Sequence, residues 1–109
     1  MENLANLKIL SHEEMKFLVE GEVHEYMKML DGRWETMENP PVMIRARYKF
    51  EDFTKAMEFV SRVAKVAEDA GHHPDITINY NKVEIILWSH FINGLSLNDF
   101  IVAARIDEI

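Results

Sequence analysis

Between positions 42 and 50 the chain alternates at every step, with Ile44, Ala46, Tyr48 and Phe50 on one parity and Met43, Arg45, Arg47 and Lys49 on the other. A period of two is the mark of a strand with one buried face. Asn39-Pro40-Pro41 marks a turn before it, and Arg33–Met37 reads as a shorter strand before that turn. From Glu51 to about Ala70 the period lengthens to that of a helix, closed by Gly71 as C-cap. Phe53, Met57, Val60, Ala64 and Ala67 form one apolar stripe, and Ala56, Phe59, Val63, Val66 and Ala70 form another. Two stripes exceed what one sheet face needs, so part of this helix is expected to bury against a partner subunit.

Ile76–Tyr80 and Val83–Trp88 are rich in β-branched and aromatic residues, and Asn81-Lys82 between them reads as a two-residue hairpin turn. That register pairs Tyr80 with Val83, Ile78 with Ile85 and Ile76 with Leu87, and carried outward it sets His73 opposite His90. Ile76, Ile78, Tyr80, Val83, Ile85 and Leu87 then share the face that meets the helices, and Trp88 falls on the other face with His73 and His90.

Upstream, Ser11-His12-Glu13-Glu14 has the form of a capping box, with Met15, Leu18 and Val19 continuing a helical pattern. Gly21 interrupts it, and Val23, Tyr26, Met27 and Leu30 resume it up to the Asp31-Gly32 stop. After Asn93-Gly94 a last helix is predicted, with Ser96 as N-cap and Leu97, Phe100, Ile101, Ala104 and Ile106 as its apolar side. The order α-β-β-α-β-β-α predicts an α+β domain, a four-stranded antiparallel sheet with helices packed on one face.

The 109 residues suffice for a single domain, 1–109, with 1–32 as an N-terminal helical region. Twelve basic residues against nineteen acidic ones give −7, which argues against nucleic acid and against an anionic membrane surface. Without cysteine there is no disulfide framework, thiolate nucleophile or sulfur-ligated metal. Neither a signal peptide nor a membrane span is legible, so the expected location is cytoplasmic. Exposed sheet edges and the doubly apolar helix predict a homodimer or homotetramer.

The candidate chemistry lies in His72-His73-Pro74 and, across the predicted hairpin, His90. A lone histidine is most often a surface or capping residue, and His12 and His24, without visible partners, are read that way. Clustered imidazoles can give and take protons near neutral pH. The competing answer is zinc, since three histidines can hold the ion with an open position. Adjacent residues on extended chain point to opposite faces, however, which ranks a metal second. Asp99 suits a helix N-terminus on its own account, and Glu68 reads as solvated helix surface. Trp88 and Trp34 are more often core than ligand platforms; Trp88 is the stronger candidate because it lies two residues before His90.

Glu68-x-x-x-His72-His73-Pro74, followed by Tyr80, His90 and Asp99, resembles the signature of the pterin-4a-carbinolamine dehydratases. Trp34, Phe50-x-x-Phe53 and Gly94-Leu95-Ser96 extend the likeness from about Trp34 to Asp107. The resemblance implies an α+β enzyme that removes water from 4a-hydroxytetrahydropterin in tetrahydrobiopterin recycling, with no metal and no added cofactor. It implies His72 and His90 as an acid–base pair, and His73 as a group that orients the pterin or stabilises a developing cation. Trp88 and Ser89 would line the pterin pocket, Asp99 and Glu68 would orient histidines or the pocket wall, and Trp34 joins the substrate-binding set. Ile76 stands where some relatives carry tryptophan, and the leading segment is longer than usual by Gly21–Leu30. The alternative is a non-catalytic interaction module of the same fold.

Overall fold

The computed structural model describes residues 3–109; the domain and helical-region boundaries expected at 1 begin with Met1 and Glu2, outside the described residues. Four strands, β1 (Glu35–Met37), β2 (Met43–Lys49), β3 (Asp75–Asn79) and β4 (Lys82–Leu87), form one antiparallel sheet in the order β1-β2-β4-β3. Three helices, α1 (Glu20–Met27), α2 (Phe53–Ala70) and α3 (Leu97–Asp107), complete the order α-β-β-α-β-β-α that the sequence predicts.

The core follows from strand parity. Ile44 and Ala46 of β2, with Val83, Ile85 and Leu87 of β4, point to the helical side. There they meet Ala56, Val63 and Ala70 of α2 and Phe100, Val102 and Ala103 of α3. The opposite parity carries charge: Arg45 pairs with Glu35 at 2.9 Å and Arg47 with Glu84 at 3.1 Å, each across a strand boundary. Of the two stripes on α2, the one containing Ala56, Val63 and Ala70 faces the core, together with Ala67 from the other, whereas Phe53 is 49% exposed.

The hairpin differs from the expected register by one turn residue. The turn is Tyr80-Asn81, so Ile78 pairs with Val83 and Ile76 with Ile85, and pairing ends at Asp75↔Ile86. Asn81 is the cause we find: its N–H side chain donates to Phe50 O at 2.9 Å and its carbonyl accepts from Phe50 N at 2.8 Å. Anchored to the end of β2, Asn81 leaves Lys82 to pair in the sheet and Tyr80 to take the left-handed backbone, φ 54°. A two-residue slip preserves parity, so the assignment of side chains to faces survives, although Ile78 and Tyr80 lie beyond the helices and are exposed.

The helical pattern expected from Ser11, interrupted at Gly21 and resumed from Val23, forms only in its second part, and Gly21 lies inside that helix rather than breaking it. Leu4–Asn6 forms a short 3-10 turn, residues 12–14 form a turn, and α1 begins only at Glu20. The Ser11–Glu14 capping contacts exist, Ser11 N donating to Glu14 Oε1 at 2.9 Å and Glu14 N to Ser11 Oγ at 3.3 Å. They close one turn only. Leu18 N then donates to Leu95 O at 2.9 Å and Leu18 is buried, so tertiary contact overrides local helix preference. A second N-terminal start follows, where Val19 N donates to Glu22 Oε1 at 3.1 Å.

Candidate active site

Gly71 ends α2 in the left-handed conformation, φ 64°, its N–H bonded back to Ala67 and Glu68 carbonyls. Glycine takes this conformation without a Cβ penalty. The chain leaves the helix abruptly, and His72 and His73 emerge at the head of β3. On the neighbouring strand, β4 runs out at Leu87, and Ser89 and Gly94 exchange backbone bonds of 2.7 and 3.3 Å around the 3-10 turn His90–Ile92. Asn93 closes that turn in the left-handed region at φ 54°.

These ends and the leading segment share one cleft of about 570 Å³, lined by His12, Met15, Gly71, His72, His73, Trp88, Ser89, His90 and Phe91. His72 Nε2–H donates to Asp99 Oδ1 at 2.6 Å, the His72 side chain being 13% exposed and that of Asp99 0%. The other oxygen of Asp99 accepts from Ser96 N at 2.9 Å and from Ser89 Oγ at 2.8 Å. Ser89 spends its only proton on the carboxylate, so at 2.7 Å it is Ser96 Oγ that donates to Ser89 Oγ. A fully buried carboxylate is thereby satisfied by three donors, which is what allows it to stay in the interior. With Nε2–H committed to Asp99, Nδ1 of neutral His72 is an acceptor, the form a general base requires.

His73 Nε2 bonds Glu68 Oε2 on the protein's surface. The His90 ring lies against Trp88 with centroids 3.8 Å apart and planes inclined by 32°. Trp88 Nε1 is buried with no partner among the described residues, and nothing in the structure explains it. The expected opposition of His73 and His90 in the strand register is replaced by convergence of two strand exits, because pairing stops before either residue.

Of the residues singled out from sequence, His72, His73, His90, Trp88 and Ser89 line the cleft, and Asp99 and Glu68 stand behind His72 and His73. Trp34 is not brought there: it is buried, and its Nε1 donates to Asp107 Oδ1 at 2.8 Å, fastening the end of α3 beside β1. Sequence reasoning missed Phe91, Met15 and His12, the last stacked on Phe91 at 4.4 Å and 16°. Only Phe91, an apolar residue next to His90 in a turn, carried a signal. Among the described residues no group of three or more His, Cys, Asp or Glu is arranged to hold a metal ion, and no helix is long and apolar enough to cross a membrane.

Residues 16–109 match the family described as pterin 4 alpha carbinolamine dehydratase. The chain is 34% identical over 97 residues to the Arabidopsis thaliana protein named pterin-4-alpha-carbinolamine dehydratase 2, mitochondrial, spanning 88% of this chain but about half, 52%, of that one. It is 44% identical to a Nostoc punctiforme protein provisionally named for the same activity, over 86% of this chain and 97% of the relative. Among solved structures, one titled a transcriptional coactivator/pterin dehydratase from Brucella melitensis superposes with a TM-score of 0.79 at 32% identity, covering 85% of this chain and 97% of that one. Another, titled a pterin dehydratase-like RuBisCO assembly factor of the alpha-carboxysome, superposes with a TM-score of 0.58 at 26% identity, covering 69% and 86%.

Proposed function

This chain belongs to the pterin 4 alpha carbinolamine dehydratase family, a family of hydro-lyases, and from that premise we propose that it converts 4a-hydroxytetrahydropterin to quinonoid dihydropterin by histidine acid–base catalysis. The observation that carries the reading is His72 held by the buried Asp99 at 2.6 Å in the same cleft as His73 and His90. The reaction breaks the C4a–O bond. The departing hydroxyl takes up a proton and leaves as water, and the ring nitrogen beside C4a loses one, so no net charge or electron is exchanged.

His72 and His90 are the acid–base pair in this reading, each able to supply about 10²–10⁴-fold. His73, tethered to Glu68, orients the pterin or stabilises developing positive charge. Trp88 and Ser89 form the pocket wall, with Ser89 also holding Asp99. Asp99 fixes the tautomer of His72. No cofactor enters the balance. Tetrahydrobiopterin recycling in the cytoplasm by a homodimer or homotetramer is the setting we assign.

The test is stopped-flow dehydration of enzymatically generated carbinolamine by purified protein. His72→Ala and His90→Ala are each expected to lower kcat by at least about 10²-fold. Wild-type rates in both variants would end the reading. A second reading, a non-catalytic assembly module, is favoured by the likeness to the RuBisCO assembly factor and by the exposed Phe53 on α2. Tight partner binding without any turnover would select it.

A further inference from the structure

His12 is the one imidazole in the cleft that comes from the leading segment, and it lies before residue 16, where the family match begins. Residues 10–18 cross the site as a strap fixed at one end to α3, which carries Asp99, and at the other to the loop just before it. At one end Leu10 N donates to Asn98 Oδ1 at 2.8 Å and Asn98 Nδ2 returns a bond to Leu10 O at 3.0 Å. At the other, Leu18 N donates to Leu95 O at 2.9 Å. The reciprocal Ser11–Glu14 contacts stiffen the turn between these anchors, and that turn carries His12. Its ring lies flat on Phe91, centroids 4.4 Å apart and planes within 16°.

Phe91 is 63% exposed, and it immediately follows His90 in the chain. A large apolar ring left open at the mouth of a cleft, next to a base and covered on one side by a second planar ring, is suited to a flat heterocyclic ligand. We propose that the His12–Phe91 stack is a substrate-positioning wall, supplied by the strap of residues 10–18, which sets affinity for the pterin ring without taking part in proton transfer. This rests on the dehydratase reading and deepens it: His72 and His90 do the chemistry, while His12 acts through Phe91 on where the ring lies. The His12 ring forms no hydrogen bond or ion pair among the described residues, where its only aromatic partner is Phe91, in keeping with a role of surface and shape.

The experiment compares wild type, His12→Ala, His12→Phe and, as a control on α1 away from the cleft, His24→Ala. Dehydration kinetics are measured beside binding of the stable analogue 7,8-dihydropterin, followed by intrinsic tryptophan fluorescence. His12→Ala is expected to raise KM and the analogue Kd about three- to tenfold, the ratio an aromatic contact provides, with kcat within about twofold. His12→Phe, which keeps a planar ring against Phe91 and has no titratable nitrogen, is expected to restore both constants. Unchanged KM and Kd in His12→Ala, with His72→Ala inactive, overturn the wall and leave the dehydratase reading standing. A fall in kcat at constant KM, or failure of His12→Phe to rescue, overturns it too. Wild-type protein that binds the analogue without turnover defeats the dehydratase reading, and the Kd ratio then decides the strap. Protein that does neither defeats both.

Discussion

Asp99 grips His72 with one carboxylate oxygen, at 2.6 Å, and the first turn of α3 with the other, through Ser96 N at 2.9 Å. One side chain therefore serves as a helix cap and as the orienting partner of His72, the proposed base. Asp99→Asn keeps the shape and removes an acceptor, forcing an amide N–H toward either His72 or Ser96. We expect kcat to fall by about 10²-fold or more, as in other cases where a base loses the carboxylate that sets its tautomer. Unfolding free energy should fall by about 1–3 kcal/mol, the cost of a buried donor left without its partner. Dehydration kinetics and urea midpoints measure the two losses separately, and an active Asp99→Asn enzyme of lowered stability would reduce Asp99 to a cap.

Glu68 offers the contrast. It also bonds a histidine, His73, but its side chain is 75% exposed. Water and salt screen such pairs, which contribute about 0–1 kcal/mol. Glu68→Ala should leave the thermal midpoint within a few degrees, as about 1 kcal/mol implies for this size of domain. Activity should fall much less than in Asp99→Asn. A loss as large as that of Asp99→Asn would mean His73 needs its carboxylate for chemistry.

Gly71 tests whether backbone conformation aims the site. A Cβ there would meet nothing within 4 Å, so only the left-handed φ of 64° opposes substitution. Gly71→Ala should cost about 1–2 kcal/mol from conformation alone. Because His72 follows directly, kcat should fall more than the folded fraction does. Calorimetry with parallel kinetics separates them, and full activity in the folded fraction would show that His72 finds Asp99 from a relaxed cap.

Asp107 gives the pH prediction. Burial pushes its carboxyl above the usual carboxylate range, against the hydrogen bonds from Asp31 N and Trp34 Nε1 that lower it. A raised folded-state value means the folded protein holds this proton more firmly than the unfolded chain. Its contribution is thus greatest at acid pH and is lost as pH rises through the raised value. Asp107→Asn abolishes the titration, so the stability of wild type relative to the variant should grow as pH falls from neutrality into the carboxylate range. Chemical denaturation at stepped pH measures this; a difference that stays flat would refute it.

Much of this architecture was legible because local patterns and tertiary demands agree. The alternation of Ile44, Ala46 and Tyr48 against Arg45 and Arg47 appears in the structure as core against ion pairs. Gly71 ends α2 as its residue type prescribes, whereas the helix expected from Glu51 begins at Phe53, with Asp52 as its cap accepting from Lys55 N at 2.8 Å. Errors arise where a distant contact decides. Asn81 is a good turn residue in either register, and only its bonds to Phe50, 31 residues away, select the observed one. Ser11–Glu14 is a sound capping box, yet Leu95 captures Leu18 and stops the helix. His12 at the site was invisible for the same reason, since nothing near it in sequence announces Asn98 or Phe91. The site itself was half legible: Asp99 reads from its spacing as a helix-terminal acid and from the family resemblance as an orienting group, and only the coordinates pair it with His72 across 27 positions.

The burial of α3 has a consequence for how the protein comes into being. Asn98 through Ala104 and Ile106 are all enclosed, and the same helix reaches Leu10 through Asn98, Ala5 and Leu7 through Arg105, and Trp34 through Asp107. A nascent polypeptide still lacking this helix has no counterpart for His72 and no post for the leading strap. Translation must deliver these residues before His72 has Asp99 to hold it and Leu10 has Asn98, so a fragment released earlier lacks both supports of the cleft.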